Sequence, residues 1–134
     1  MSKKPLEQVT FFIVRSLGGK LVAEALRNAG ANVEIHDKHF PPNTTDVDWL
    51  SDTGKRGWVI LSKDERIRRN PPELAALKQV NARAFFLTQQ GLTGDEMARI
   101  FAAAAAGMAN RAVSQPAPFI YTLTRHGVFS RIKL

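Results

Sequence analysis

The sequence predicts an α/β protein, a three-layer α/β/α sandwich around a mainly parallel central sheet. Short apolar runs rich in β-forming residues alternate along the chain with stretches whose apolar residues recur at helical spacing. Such alternation is typical of βαβ units, whose parallel sheets are buried between two layers of helices. The 134 residues are enough for one core, and no linker or repeat divides them. We therefore expect a single domain over residues 1–134.

The first half of the chain predicts two strands and two helices. The run VTFFIV predicts a buried strand over 9–14, and NVEIH predicts a second strand over 32–36. Between them, GGKLVAEALRNAG carries an apolar helical stripe that ends near Gly30. After the Pro-Pro break, Thr44 or Thr45 is expected to cap a short helix that ends before Gly54.

The second half continues the alternation and ends in a tail that predicts β-structure. GWVILS predicts a buried strand over 57–62, and Pro71-Pro72 opens a helix that runs through Lys78. ARAFFLT predicts a strand over 82–88. Thr93 followed by Glu96 fits a capping box at the start of the longest helix. The tail FIYTLTRHGVFSRI is typical of either a hairpin that turns near His126-Gly127 or a strand with an edge partner.

Charge and composition narrow the function classes. The formal net charge is +7, so the surface attracts polyanions such as nucleic acid or an acidic protein, although solubility alone can also explain a basic chain. The chain has no cysteine, which excludes disulfides and thiolate metal sites. No stretch is typical of a signal peptide or a membrane span, so we expect a cytoplasmic protein with no membrane partner.

Polar side chains follow several predicted strands, at the point where each strand ends. In an open α/β sheet, the carboxyl ends of the parallel strands form the edge at which ligands usually bind. Asp64 follows the third strand and is either a metal ligand or a helix cap, while a second acid comes from the short helix, Asp46 or Asp48. Converging carboxylates would bind Mg²⁺ or Mn²⁺. Basic residues flank Asp64 and either bind RNA phosphates or form a solvated helix start: Lys63, Arg66, Arg68 and Arg69. Arg15 and Ser16 follow the first strand.

Other chemistries fit the sequence less well. His36 and His39 in HDKHF give a weak zinc signal, and one of the two, His36 or His39, is more plausible as a donor to a phosphate. The turn SLGGK lacks the spacing of a nucleotide-binding P-loop. A phosphoacceptor domain similar to response-regulator receivers would use Asp64, but it also needs an acidic pair after the first strand, which the sequence VRS does not provide.

The segment WLSDTGKRGWVILSKDERIRR, preceded by TDVD and by FFIVRSLG, resembles the PIN-like domains, in particular their VapC-type branch. The resemblance runs from about Phe11 to Phe129. It implies a ribonuclease toxin of a type II toxin–antitoxin pair that cleaves RNA with Mg²⁺ or Mn²⁺. Asp46 and Asp64 fall on the family's acidic positions, and Asp48 is either a helper or the true second acid in place of Asp46. The resemblance also implies that Arg15 and Ser16 lie beside the metal site. The implied partners are an RNA substrate and a cognate antitoxin, in a homodimer or a toxin–antitoxin hetero-oligomer.

One position departs from the family pattern. The family's first acidic position, at the end of the first strand, falls on Val14. A valine cannot bind a cation, and small errors in such a site can cost about 10²-fold in rate, so we expect an impaired or inactive nuclease. The valine is either an inactivating change in a toxic enzyme or a natural feature of a degenerate member. The alternative function is accordingly a non-catalytic module that binds RNA or protein.

Overall fold

The computed structural model describes residues 4–18, 20–63 and 69–134. Its centre is a six-stranded sheet in the order β2-β1-β3-β4-β5-β6, in which the first five strands are parallel and β6 is antiparallel to β5. The strands are β1 (Thr10–Ile13), β2 (Asn32–Ile35), β3 (Val59–Ser62), β4 (Arg83–Leu87), β5 (Phe119–Leu123) and β6 (Phe129–Ile132). The predicted mainly parallel sheet and the C-terminal hairpin are confirmed.

Helices cover both faces of this sheet. The α-helices are α1 (Pro5–Gln8), α2 (Leu21–Asn28), α3 (His36–His39), α4 (Asp46–Lys55), α5 (Pro71–Gln79) and α6 (Gly94–Ser114), with a 3₁₀ turn at Arg15–Leu17. Helices α1 and α2 pack against α6, whereas α4 packs against α5. The predicted α/β/α sandwich is therefore confirmed, with α1, α2 and α6 in one layer and α4 and α5 in the other.

Several predicted boundaries were wrong by a few residues. Strand β2 ends at Ile35, because His36 already begins the short helix α3. Helix α4 passes through Gly54 and ends at Lys55. A side chain at Gly54 would overlap Val80, so this glycine permits close packing of α4 and does not end the helix. The N-cap is Thr45, whose Oγ1 accepts a hydrogen bond of 3.2 Å from the backbone N–H of Asp48.

Aromatic side chains fill the core on both faces. Under α4, the fully buried Phe12 ring lies 5.7 Å from the Trp49 ring and 5.8 Å from the Trp58 ring, between centroids. On the opposite face, Phe85 stacks on Tyr121 at 5.6 Å. Adjacent residues of a strand point to opposite faces, so the apolar runs of these strands supply both layers at once.

The topology defines where a site can form. Strand β1 lies between β2 and β3, so the chain leaves β1 and β3 in opposite directions, and the carboxyl ends of these two strands form a topological switch point. Helices α4 and α6 each run back to the amino end of the next strand, so their N-termini lie at the carboxyl edge. The turn between β5 and β6 lies at this edge too. Within the described ranges, no helix is long and apolar enough to span a membrane.

Candidate functional site

Val14 occupies the switch point itself. It follows β1, is 3% exposed, and its backbone N–H donates a 3.3 Å hydrogen bond to the carbonyl of Leu61 in β3. Its backbone is extended, with φ −73° and ψ 161°, so its side chain lies on the same face of the sheet as that of Phe12. That face is the one covered by α4. An acid at this position would be buried between β1 and β3 and directed toward the layer that carries Asp46.

Asp46 is held in place at the N-terminus of α4. Its Oδ1 accepts a hydrogen bond of 2.9 Å from the indole N–H of Trp49, one helical turn later. Trp49 is itself buried against Phe12, so the carboxylate is fixed to the core through this indole. Asp48, the alternative acid, is exposed, and only its backbone N–H contacts the helix cap. The structure thus gives the two acids different surroundings, with Asp46 half-buried and oriented and Asp48 facing solvent.

Arg15 contacts protein groups of the loops beyond β2. Its Nε lies 3.1 Å from Oδ1 of Asp37, and its Nη1 donates to the carbonyl of Pro42 at 3.2 Å. The guanidinium therefore ties the end of β1 to α3 and to the loop that leads into α4. Half of the side chain stays exposed. Ser16 is exposed in the 3₁₀ turn beside it.

The two histidines of HDKHF have separate partners. His36 is 2% exposed, lies among Phe12, Phe40 and Trp49, and has its Nδ1 3.4 Å from Oδ1 of Asp37. His39 Nε2 lies 2.8 Å from Oε2 of Glu34. The burial of His36 keeps its ring away from solvent phosphates, so the expectation of a phosphate donor does not hold for this residue.

The carboxyl end of β3 carries the remaining predicted residues. Ser62 is buried and Lys63 is half-buried, and the carbonyl of Lys63 accepts a 3.4 Å hydrogen bond from Nε2 of Gln90 beyond β4. Asp64, Arg66 and Arg68 lie outside the described residues. Arg69 is exposed just before α5. The structure thus brings Val14 and Lys63 to adjacent strand ends and places Asp46 at the same edge.

The donor set fits a divalent cation only in part. Carboxylate oxygens are suitable ligands for Mg²⁺ and Mn²⁺, and among the described residues Asp46 has a hydrogen-bond partner at Oδ1 and none at Oδ2. However, no three histidine, aspartate or glutamate side chains converge anywhere in residues 4–18, 20–63 and 69–134. Val14 offers no oxygen. A ligand set would therefore depend on Asp64, outside these ranges.

Two further acids begin α6. Glu96 forms the predicted capping box, in which Thr93 Oγ1 accepts from the Glu96 N–H and Glu96 Oε1 accepts from the Thr93 N–H, both at 3.1 Å. These hydrogen bonds to Thr93 lower the pKa of Glu96 most, and the charges of Arg125 and Arg99 lower it further. Glu96 therefore serves the helix terminus, while Asp95 is exposed.

Sequence reasoning missed two features of this edge. The first is the hydrogen bond from the indole of Trp49 to Asp46, although the Asp-x-x-Trp spacing of one helical turn is a usable signal. The second is the pairing of Arg15 with Asp37. That pairing joins two segments that are separate in the sequence, so no local pattern predicts it.

Comparison with known proteins assigns the class. The family model described as "PIN like domain" matches residues 9–89, which include β1 to β4 and the switch point. The chain belongs to the PIN-like family, in its VapC-type branch. It is 33% identical over 116 residues to the protein named "Putative ribonuclease VapC45" of Mycobacterium tuberculosis (strain ATCC 25618 / H37Rv), an alignment that covers 84% of this chain and 83% of the relative. No solved structure matches the chain.

Proposed function

We propose that this chain is the toxin ribonuclease of a type II toxin–antitoxin pair, and that Val14 impairs its RNA cleavage. The similarity to a ribonuclease of the VapC type along most of both chains supports the activity class. The observation that carries the second part is the buried valine at the switch point, on the face that carries Asp46. The partners of this function are RNA and a cognate antitoxin, in the cytoplasm, as a homodimer or a toxin–antitoxin hetero-oligomer.

The proposed site assigns a role to each residue. Asp46 and Asp64 would hold Mg²⁺ or Mn²⁺, which supplies orientation of the phosphate and activation of a water. Trp49 orients Asp46 through its indole N–H, and Asp48 takes the metal-binding role if Asp46 does not. The RNA backbone would be bound by the residues that surround these acids: Arg15, Ser16, Lys63, Arg66, Arg68 and Arg69.

The test restores the missing carboxylate. We expect Val14→Asp to cleave RNA in the presence of Mn²⁺ and to lose this activity with a chelator, while the chain as it stands cleaves at least about 10²-fold more slowly. Val14→Asn is the matched control, because it adds a polar group of the same size without the charge. Equal cleavage by the valine and aspartate forms would show that position 14 is not a metal-binding position. No cleavage by the aspartate form would reject the nuclease assignment.

A second function is favoured by the same valine. A site that lacks one carboxylate can still bind RNA or a protein segment through its basic side chains. This non-catalytic module predicts RNA or antitoxin binding that is unaffected by chelator and by Val14→Asp. A chain that binds RNA but never cleaves it, in either form, would establish this alternative.

A further inference from the structure

A groove of about 350 Å³ lies between the N-terminal half of α6 and the turn of the β5–β6 hairpin. We call it the hairpin groove, and its lining residues are Leu92, Glu96, Arg99, Ile100, Ala103, Arg125, His126 and Gly127. Leu92, Ile100 and Ala103 supply apolar surface. The polar lining comes from two separate segments, so the groove is a product of the tertiary fold.

The charge of the groove is positive. Arg99 and Arg125 are exposed, and within the described part of the chain neither guanidinium makes a hydrogen bond or an ion pair. The only opposite charge in the lining, that of Glu96, is already engaged by the backbone of Thr93. His126 adds an imidazole that is exposed at the tip of the turn. Two guanidiniums that make no hydrogen bond or ion pair with the described residues, and that line the same groove as apolar side chains, suit a nucleotide, because its phosphate can bind the cations while its base covers the apolar side chains.

The hairpin groove lies at the same edge of the sheet as the switch point. Three inter-strand spacings separate β1 from β5, or about 14 Å in total. A contact also links the two places, since Gln90, two residues before Leu92 of the groove, donates a 3.4 Å hydrogen bond to the carbonyl of Lys63 at the end of β3. A few nucleotides of single-stranded RNA could therefore contact both places at once.

We infer that the hairpin groove is an accessory RNA-binding site, in which Arg99 and Arg125 bind the phosphate of a nucleotide that flanks the one at the switch point. This inference rests on the proposed function, because it takes RNA to be the ligand. It adds a specific surface to that function, on elements that lie beyond the segment matched by the family model. RNA is favoured over an acidic protein segment because the apolar lining lies directly beside the two cations.

The experiment measures binding of a fluorescent single-stranded oligouridylate to the full chain as it stands, in EDTA, over a range of salt. We expect the double variant Arg99→Gln, Arg125→Gln to bind about tenfold more weakly at low salt and to lower the salt slope by about 0.7, the value for one single-strand phosphate contact. The matched control is Lys55→Gln, Lys78→Gln, which removes the same charge from exposed positions near the C-terminal ends of α4 and α5, at the opposite edge. This control should bind RNA almost unchanged.

Each outcome distinguishes the hypotheses. Equal losses in the double variant and its control would overturn the inference, because net charge alone would then govern binding. Competition by polyglutamate at the same charge concentration as RNA would overturn it in favour of an acidic protein ligand. If Val14→Asp fails to cleave RNA while the groove variant still loses affinity, the nuclease proposal fails and the RNA-binding site stands. If Val14→Asp cleaves RNA and the groove variant binds it normally, the nuclease proposal stands and the inference of an RNA-binding groove fails.

Discussion

Two regions at one edge of the sheet differ in whether their charged side chains have protein partners. At the switch point they do, since Trp49 donates a hydrogen bond to Asp46, while Arg15 contacts Asp37 and the carbonyl of Pro42. In the hairpin groove, the guanidiniums of Arg99 and Arg125 make no such contacts with the described residues. A side chain that is held by another protein group keeps an accurate geometry, which catalysis requires. Groups without partners supply attraction, which needs charge more than geometry.

This contrast bears on the two proposed functions. If position 14 is a metal-binding position, its valine leaves the ligand set without one carboxylate, whereas it changes no charge in the hairpin groove. The two regions also rest on different faces of the core, since Phe12 lies under α4 while Phe85 lies with Tyr121 on the opposite face. Variants that affect one region and spare the other can therefore test the comparison.

The largest expected effect comes from removing the aromatic support of the switch point. Phe12→Ala should lower the free energy of unfolding by about 3–5 kcal/mol, because the ring is fully buried among four aromatic neighbours. Urea unfolding measures this loss. Leu134→Ala is the control, since Leu134 is exposed, and it should change stability by less than about 0.5 kcal/mol. A loss of under about 1 kcal/mol for Phe12→Ala would contradict the packing described here.

A smaller effect should follow from releasing Asp46. Trp49→Phe keeps an aromatic ring but removes the indole N–H, and should cost about 1 kcal/mol of stability. Combined with Val14→Asp, it should also weaken Mn²⁺ binding, measured as a smaller increase in Tm on adding the metal. Trp58→Phe is the control. The Trp58 ring stacks on the same Phe12, but the indole that binds Asp46 belongs to Trp49. Equal Mn²⁺ responses in the two variants would remove Trp49 from the site.

The smallest effect concerns the wall of the hairpin groove and depends on pH. The pKa of Glu96 is lowered in the folded state, chiefly by hydrogen bonds to Thr93. The unfolded chain therefore binds more protons between the two pKa values, so this stabilisation is complete above the ordinary pKa near 4.5 and is lost as the pH falls through the lower folded value. Glu96→Gln should flatten the pH dependence of stability in this acidic range.

Thermal unfolding at several pH values below 5 tests this expectation about Glu96. Asp95→Asn is the matched control, because Asp95 lies in the same helical turn but outside the capping box. It should keep the steeper acid dependence of the parent chain. If the glutamine variant shows the same acid dependence as the parent, the capping box does not set the pKa of Glu96.

Periodicity and local chemistry gave most of the architecture from the sequence. Buried parallel strands must be apolar on both sides, so VTFFIV and GWVILS are recognisable without any partner. The Thr93–Glu96 capping box is equally local and is confirmed atom by atom. The prediction for Gly54 was wrong because a glycine can either end a helix or allow another element to pack closely against it. Only the position of Val80 distinguishes the two.

What the sequence determined by itself is the sheet, its helices and the family, while the interpretation of Val14 as a lost acidic position stays a prediction. These depend on neighbours along the chain, where spacing alone fixes which face a residue occupies. The tertiary structure decided that Asp46 is anchored by Trp49 against the core, that Arg15 is tied to Asp37, and that α6 meets the β5–β6 turn to form a basic groove. Such contacts join elements that pack together only once the sheet has formed, so charge and hydrogen bonding at this edge belong to the fold and not to any local stretch of sequence.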